Sequence, residues 1–246
     1  MRQPGTLQRA AAEFVGAFGL VFAGCGAIII DTTTGGAVTH VGVAATFGLI
    51  IATMIYATGH ISGAHFNPAV TLAFTATRHF PLVLVPAYLA AQFGGAIAAS
   101  AALRLLFGNV ANLGATLPAG GVGQSLALEA VLTFFLMFVI ISVATDTRAV
   151  GQAAALAIGG TVGLEAMFAG PISGASMNPA RSLAPALVSG MWTAQWLYVV
   201  GPIVGAILGA FAYQCIRGEH IGKDAGQLLT PVGSQAGARH DTESVA

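Results

Sequence analysis

The sequence predicts an all-α membrane protein with six transmembrane helices plus two re-entrant half-helices, in two inverted three-helix repeats. Three observations carry that prediction. The chain has 246 residues, 56% of them hydrophobic and 7% charged, where a soluble domain carries about 25% charged residues. Six apolar stretches, 14–30, 41–58, 84–103, 125–144, 150–164 and 195–216, approach or reach the roughly 20 residues of a spanning helix. One phrase is also written twice, GHISGAHFNPA at 59–69 and GPISGASMNPA at 170–180.

The elements follow in order. Residues 1–7 form a short N-terminal tail, and the first apolar run lacks a small-residue cleavage pattern, so it reads as a membrane helix rather than a removed signal. Within it AAEFVGAFGLVF (11–22) resembles ALEAVLTFFLMF (127–138), pairing Glu13 with Glu129, Phe18 with Phe134 and Phe22 with Phe138. Later, Tyr88, Gly95, Ala96 and Ile97 match Tyr198, Gly205, Ala206 and Ile207. Each half, 8–110 and 125–217, therefore holds three spans with a Gly/Asn/Pro-rich interruption before the third, joined by a loop at 111–124. Three is odd, so the second half enters the membrane from the opposite side, and inverted repeats place solute sites near the midplane at interrupted segments. Residues 218–246 read as a polar tail without function.

The interruptions contain the chemistry. After Asn67 runs an apolar stretch from Pro68 to Ala76, and after Asn178 a similar one to about Leu187. At 1.5 Å per residue each makes a helix of roughly 15 Å, half the hydrocarbon thickness. Asn is a favoured N-cap and Pro a favoured first helical residue, so each Asn-Pro-Ala starts a helix by its local chemistry. The asparagine oxygen caps its own helix and leaves the side-chain NH₂ free to donate at the midplane. The stretches Gly63, Ala64, His65, Phe66 and Gly174, Ala175, Ser176, Met177 cannot be regular helix, and at membrane depth such backbone is tolerated where it is buried or lines water. Their carbonyls would then form a ladder of acceptors.

Arg181 follows the second Asn-Pro-Ala where Val70 follows the first, and an arginine at that depth is a functional candidate. Arg104, at the end of a span, reads as an anchor. Glu165 in the fifth span reads as a protonated or hydrogen-bonded structural group turned away from the pore axis. His65 is expected to contribute a backbone carbonyl, and for the rings of His60 and His65 a pore role and plain packing both stay open. Cys25 and Cys215 lie in apolar runs and read as small core residues. No cofactor, metal site or catalytic constellation is expected. Zero net charge gives no hint of nucleic acid. Small residues every fourth position, at Gly201, Gly205 and Gly209 and at Ala87, Ala91, Gly95 and Ala99, read as helix-packing stripes. Seven of the nine basic residues (Arg2, Arg9, Arg78, Arg148, Arg217, Lys223 and Arg239) fall on one side of a six-span topology, which puts both termini in the cytoplasm.

With both Asn-Pro-Ala boxes, both first-helix glutamates and the arginine after the second box, the chain over about 8–217 resembles the aquaporin (major intrinsic protein) family. SVATDTRAVG (142–151) and MFAGPISGASMNPARSL (167–183) look like its nodulin-26-like branch. That resemblance implies a plasma-membrane homotetramer, one pore per protomer, and passive flux of water or small uncharged solutes. It also implies a selectivity filter at Phe47, Ala166, Ala175 and Arg181, centred on Asn67, Pro68, Ala69 and Asn178, Pro179, Ala180. Glu13 and Glu129 would hold the re-entrant backbone. Strict water channels place His at the position of Ala166, so two methyls here imply a wider opening suited to glycerol-type polyols or boric, silicic or arsenious acid. A strict water channel is the alternative. A secondary transporter built on inverted repeats, an intramembrane enzyme and an ion channel are weaker rivals, since no intramembrane acidic cluster, Ser/His pair or negative pore end is present.

Overall fold

The computed structural model describes residues 3–145 and 153–218. Arg2, Arg148, Lys223, Arg239 and the tail after 218 lie outside them. Among the described residues the chain forms eight helices and no strand. They are α1 (Thr6–Thr33), α2 (Thr39–Ser62), α3 (Pro68–Ala76), α4 (Val85–Phe107), α5 (Val122–Thr145), α6 (Ala154–Ser173), α7 (Pro179–Ser189) and α8 (Leu197–Arg217). All but the short α3 and α7 are long and apolar enough to cross a membrane, six in total.

The order long, long, short, long occurs twice. Helix α1 packs on α2 and α4 as α5 packs on α6 and α8, and the halves interlock through α2 on α6, α3 on α8 and α4 on α7. The small-residue stripes lie at the closest approaches. A Cβ on Gly95 would overlap the Phe14 carbonyl, and one on Gly205 would overlap the Ala130 carbonyl. Backbones that close gain dispersion contact where lipid supplies no hydrophobic drive.

The fold is polar at its centre and apolar outside. Leu49, Val83, Leu105 and Phe168 are exposed, whereas Glu13, Thr71, Gln92, Glu129, Ser173 and Ser182 are completely buried. This is the distribution expected where lipid is the outer solvent and the interior holds the polar path.

The duplicated phrase straddles the helix ends. The apolar stretches 41–58 and 150–164 stop short of it, and the non-helical backbone was expected over Gly63 to Phe66 and Gly174 to Met177. Gly59–Ser62 and Gly170–Ser173 form the last turns of α2 and α6. Each helix stops at a glycine in the left-handed conformation, Gly63 and Gly174, both at φ 86°. Their N–H groups bond the Gly59 and Gly170 carbonyls, the ordinary glycine helix stop.

Candidate functional site

Beyond those stops the two re-entrant stretches have matching backbones. Ala64 and Phe66 have φ of 53° and 50°, and their repeat counterparts Ala175 and Met177 have 42° and 54°. Such conformations cost of order 1–3 kcal/mol each for residues with a side chain, and persist only where the surroundings impose them.

Two carboxylates impose them here. Glu13 accepts from the N–H of His65 (2.9 Å) and Phe66 (2.7 Å), from Ser62 Oγ (2.7 Å) and from Gln92 Nε2 (2.8 Å). Glu129 accepts from the N–H of Ser176 and Met177, both at 2.8 Å, and from Ser173 Oγ at 2.7 Å. Tyr88 and Tyr198 donate to the carbonyls of Ser62 (2.6 Å) and Ser173 (2.7 Å). The carboxylates thus hold two consecutive N–H groups of each stretch.

The half-helices begin at the asparagines. Asn67 Oδ1 accepts from the Ala69 N–H at 2.9 Å, and Asn178 Oδ1 from those of Ala180 (3.0 Å) and Arg181 (3.3 Å). Pro68 and Pro179 open α3 and α7. The side-chain NH₂ groups are not both free, as the sequence reading had them. Asn67 Nδ2 donates to the Met177 carbonyl (2.7 Å) and Asn178 Nδ2 to the Phe66 carbonyl (2.9 Å). An amide has two N–H bonds, so each asparagine ties the two half-helix starts together and keeps one donor.

Arg181 stands in the first turn of α7 and is 3% exposed. Its Nη1 donates to the Gly114 carbonyl at 2.8 Å, and its guanidinium carbon lies 4.8 Å from the centroid of the Phe47 ring. The ring fits because α1 has glycine behind it, where a Cβ on Gly24 would overlap it. The carbonyl is presented by a left-handed turn through Ala111, Asn112, Leu113 and Gly114, with φ from 48° to 71°. Leu113 is fully buried and Cys25 packs on Gly114, which together fix this turn over the arginine.

A cavity runs along these groups. Its lining includes Asn67, Asn178, Arg181 and Gly63, Ala64, His65, Phe66, Ala175, Ser176 and Met177 of the re-entrant stretches. Its apolar members include Leu20, Phe47, Ile51, Leu136, Val162 and Ala166. Phe47 thus shares one cavity with Ala166, Ala175 and Arg181, which lie more than a hundred residues on in the chain. Gly174, expected on the carbonyl ladder, does not line it, because its turn packs on Thr116. Phe66 lines it, but its carbonyl already accepts from Asn178.

His65 lines the cavity with its ring among Phe74, Phe80 and Tyr88 and its Nδ1 3.0 Å from Thr71 Oγ1. Glu165 is buried outside the cavity lining, and its Oε2 has no hydrogen-bond partner among the described residues. Arg104 is not a free anchor. Its guanidinium donates to the Val188 carbonyl while Asn109 Nδ2 donates to that of Ser189 at 3.2 Å, so the end of α4 caps the end of α7. The repeat counterpart Gln214 does the same for α3, with Nε2 3.3 Å from the Thr77 carbonyl. These caps satisfy last-turn carbonyls that a helix cannot pair itself. Nothing local in the sequence announces them, since the pairs lie 84 and 137 residues apart.

The geometry has close relatives. The family model described as "Major intrinsic protein" matches residues 1–213. Aquaporin NIP1-1 of Zea mays is 55% identical over 212 residues, covering 86% of this chain and 75% of that protein. Nodulin-26 of Glycine max is 50% identical over 212 residues, covering 86% and 78%. Among solved structures, the aquaglyceroporin from Plasmodium falciparum superposes with a TM-score of 0.78 at 24% identity, covering 87% of this chain and 97% of that one, which establishes the shared fold.

Proposed function

The chain belongs to the major intrinsic protein family, and from that premise we propose that its pore passes glycerol-sized polyols and neutral hydroxylated acids, of the boric, silicic or arsenious type, together with water. At the coarser level it is a multi-pass membrane channel for water and small uncharged solutes. The observation carrying the finer reading is the cavity lining around Arg181. Two of the four filter positions, Ala166 and Ala175, are methyls, and Phe47 is drawn back against Gly24.

Solutes move along a two-sided path. Arg181, the free N–H of Asn67 and of Asn178 and the carbonyls of Gly63, Ala64 and His65 serve hydroxyl groups, while Phe47, Val162 and Leu136 face their CH side. Charge is opposed at the centre. Each half-helix start carries about half a positive charge, and at an effective dielectric near 20 and about 4 Å each repels a monovalent cation by roughly 2 kcal/mol. A central water accepting from both asparagines has no lone pair left to pass a proton along the file. Arg181 adds a full charge, held by Gly114 and Phe47. Glu13 and Glu129 act as braces for the carbonyl ladder rather than as proton relays.

The repeats 8–110 and 125–217 form one pore per protomer in a homotetramer of the plasma membrane, with both termini cytoplasmic. Arg9, Arg78 and Arg217 follow the positive-inside pattern for that orientation. The test is a solute panel (water, glycerol, urea, boric acid and arsenite) on proteoliposomes read by light scattering. Flux of glycerol and the hydroxylated acids supports the reading, and flux of water alone makes this a strict water channel.

A further inference from the structure

Pro171 stands inside α6, where the first copy of the phrase has His60. Proline has no N–H, so the carbonyl four residues earlier, Met167, loses its helical partner. His40, in the first turn of α2 and 127 residues away, has its Nε2 2.7 Å from that carbonyl. A carbonyl only accepts, so Nε2 carries the proton and donates. The fit is specific, because a Cβ on Gly170 would come within 2.7 Å of the imidazole Cε1. Helix α6 thus breaks its own ladder beside Ala166, and a side chain from α2 repairs it.

We propose that His40 is a positioning residue for solute selection, a latch that sets the angle between α2 and α6 and hence the gap between Phe47 and Ala166. This rests on the reading of those two residues as facing parts of the filter. The helices cross where Gly48 meets Gly159 and Gly163, and a Cβ on Gly48 would stand 2.6 Å from the Gly159 carbonyl oxygen. That crossing leaves no slack, so it acts as the pivot. His40 lies eight residues from Gly48, about 12 Å along the axis. Phe47 adjoins the pivot, and Ala166 lies about 5 Å beyond Gly163 on the latched arm. Measured from Gly159 at the same pivot, Met167 lies about 12 Å and Ala166 about 10 Å along α6, so opening the latch by about 1 Å swings Ala166 by about 0.9 Å away from Phe47, a sizeable change in an opening sized for single solutes.

The test is a double-mutant cycle on the reconstituted channel, with water and glycerol permeability per channel read for His40→Ala, His40→Gln, Pro171→Ala and His40→Ala/Pro171→Ala. His40→Ala should raise the glycerol-to-water ratio by about three- to tenfold, the range that one lost hydrogen bond spans. His40→Gln, whose amide can donate in the same place, should stay near wild type. In the Pro171→Ala background, where residue 171 again has an N–H for Met167, His40→Ala should change little, and the cycle should be non-additive. If the His40→Ala protein does not fold, the double variant and His40→Gln still decide. Equal effects of His40→Ala in both backgrounds, or no effect in either, overturn the proposal. Water flux is read throughout, so a wild-type pore closed to glycerol overturns the wide-filter reading while the coupling remains measurable in water permeability alone.

Discussion

Replacing Gly114 with alanine attacks Arg181 without touching it. Gly114 has φ 71°, and its carbonyl accepts from Arg181 Nη1 at 2.8 Å. A new Cβ there would stand 2.9 Å from Cys25 Cβ and 3.1 Å from its Sγ. Ordinary carbon contacts lie near 3.5–4.0 Å, so the turn must retreat from α1 by about 0.6–1 Å. Added to the present hydrogen bond, that shift brings it to the edge of, or beyond, bonding distance. The left-handed conformation costs an alanine roughly 1–2 kcal/mol, and a hydrogen bond to a charged group contributes about 1.5–3 kcal/mol. The sum is roughly 3–5 kcal/mol. Unfolding should therefore begin at clearly lower temperature in detergent, and proteoliposomes should show altered solute selectivity and a larger cation leak. Adding Cys25→Gly removes Cβ and Sγ but leaves the Cα of residue 25 at 3.0 Å, so it should recover part of the selectivity while leaving the backbone cost. A Gly114→Ala channel with unchanged unfolding and unchanged selectivity would refute the claim that this turn holds the arginine.

Four further outcomes follow from the same geometry. Ala166→His places a donor-bearing ring opposite Phe47, and glycerol flux should fall far more than water flux in stopped-flow shrinkage; unchanged glycerol flux removes this position from the filter. Gly24→Ala should push the Phe47 ring into the cavity and lower glycerol permeability, and a structure with the ring unmoved would contradict it. Glu129→Ala strands the N–H groups of Ser176 and Met177, at about 1–3 kcal/mol each, so the thermal midpoint should drop and water flux per channel should fall. Arg104→Met should lower the midpoint more than Arg104→Gln, because the amide of Gln214 already serves the matching cap of α3; equal losses would show that the guanidinium acts through its charge alone.

The parts legible in the sequence were those written by local chemistry. Asn67-Pro68 and Asn178-Pro179 each carry a cap and a first-turn proline in adjacent residues, so the starts of α3 and α7 needed no tertiary knowledge. The six spans follow from composition, and the pairing of Glu13 with Glu129 from the repeat. What escaped was written across the fold. The apolar stretches end at 58 and 164, yet α2 and α6 run on to Ser62 and Ser173, because the left-handed stop belongs to Gly63 and Gly174. The asparagine amides looked free because their acceptors, Met177 and Phe66, sit in the opposite repeat. The stacking of Arg181 on Phe47 depends on Gly24 in a third helix, and the role of Arg104 on how α7 ends. A side chain whose partner lies a hundred residues away leaves no periodic trace.

The central claim is that water and polyol share one path past Phe47, Ala166, Ala175 and Arg181. Its most direct test is the reflection coefficient of glycerol across proteoliposomes, measured with water permeability on the same vesicles. A shared pore predicts a coefficient well below one, with both water and glycerol flux changed when Arg181 and Phe47 are displaced; a coefficient of one, with rapid water flow, would contradict the account.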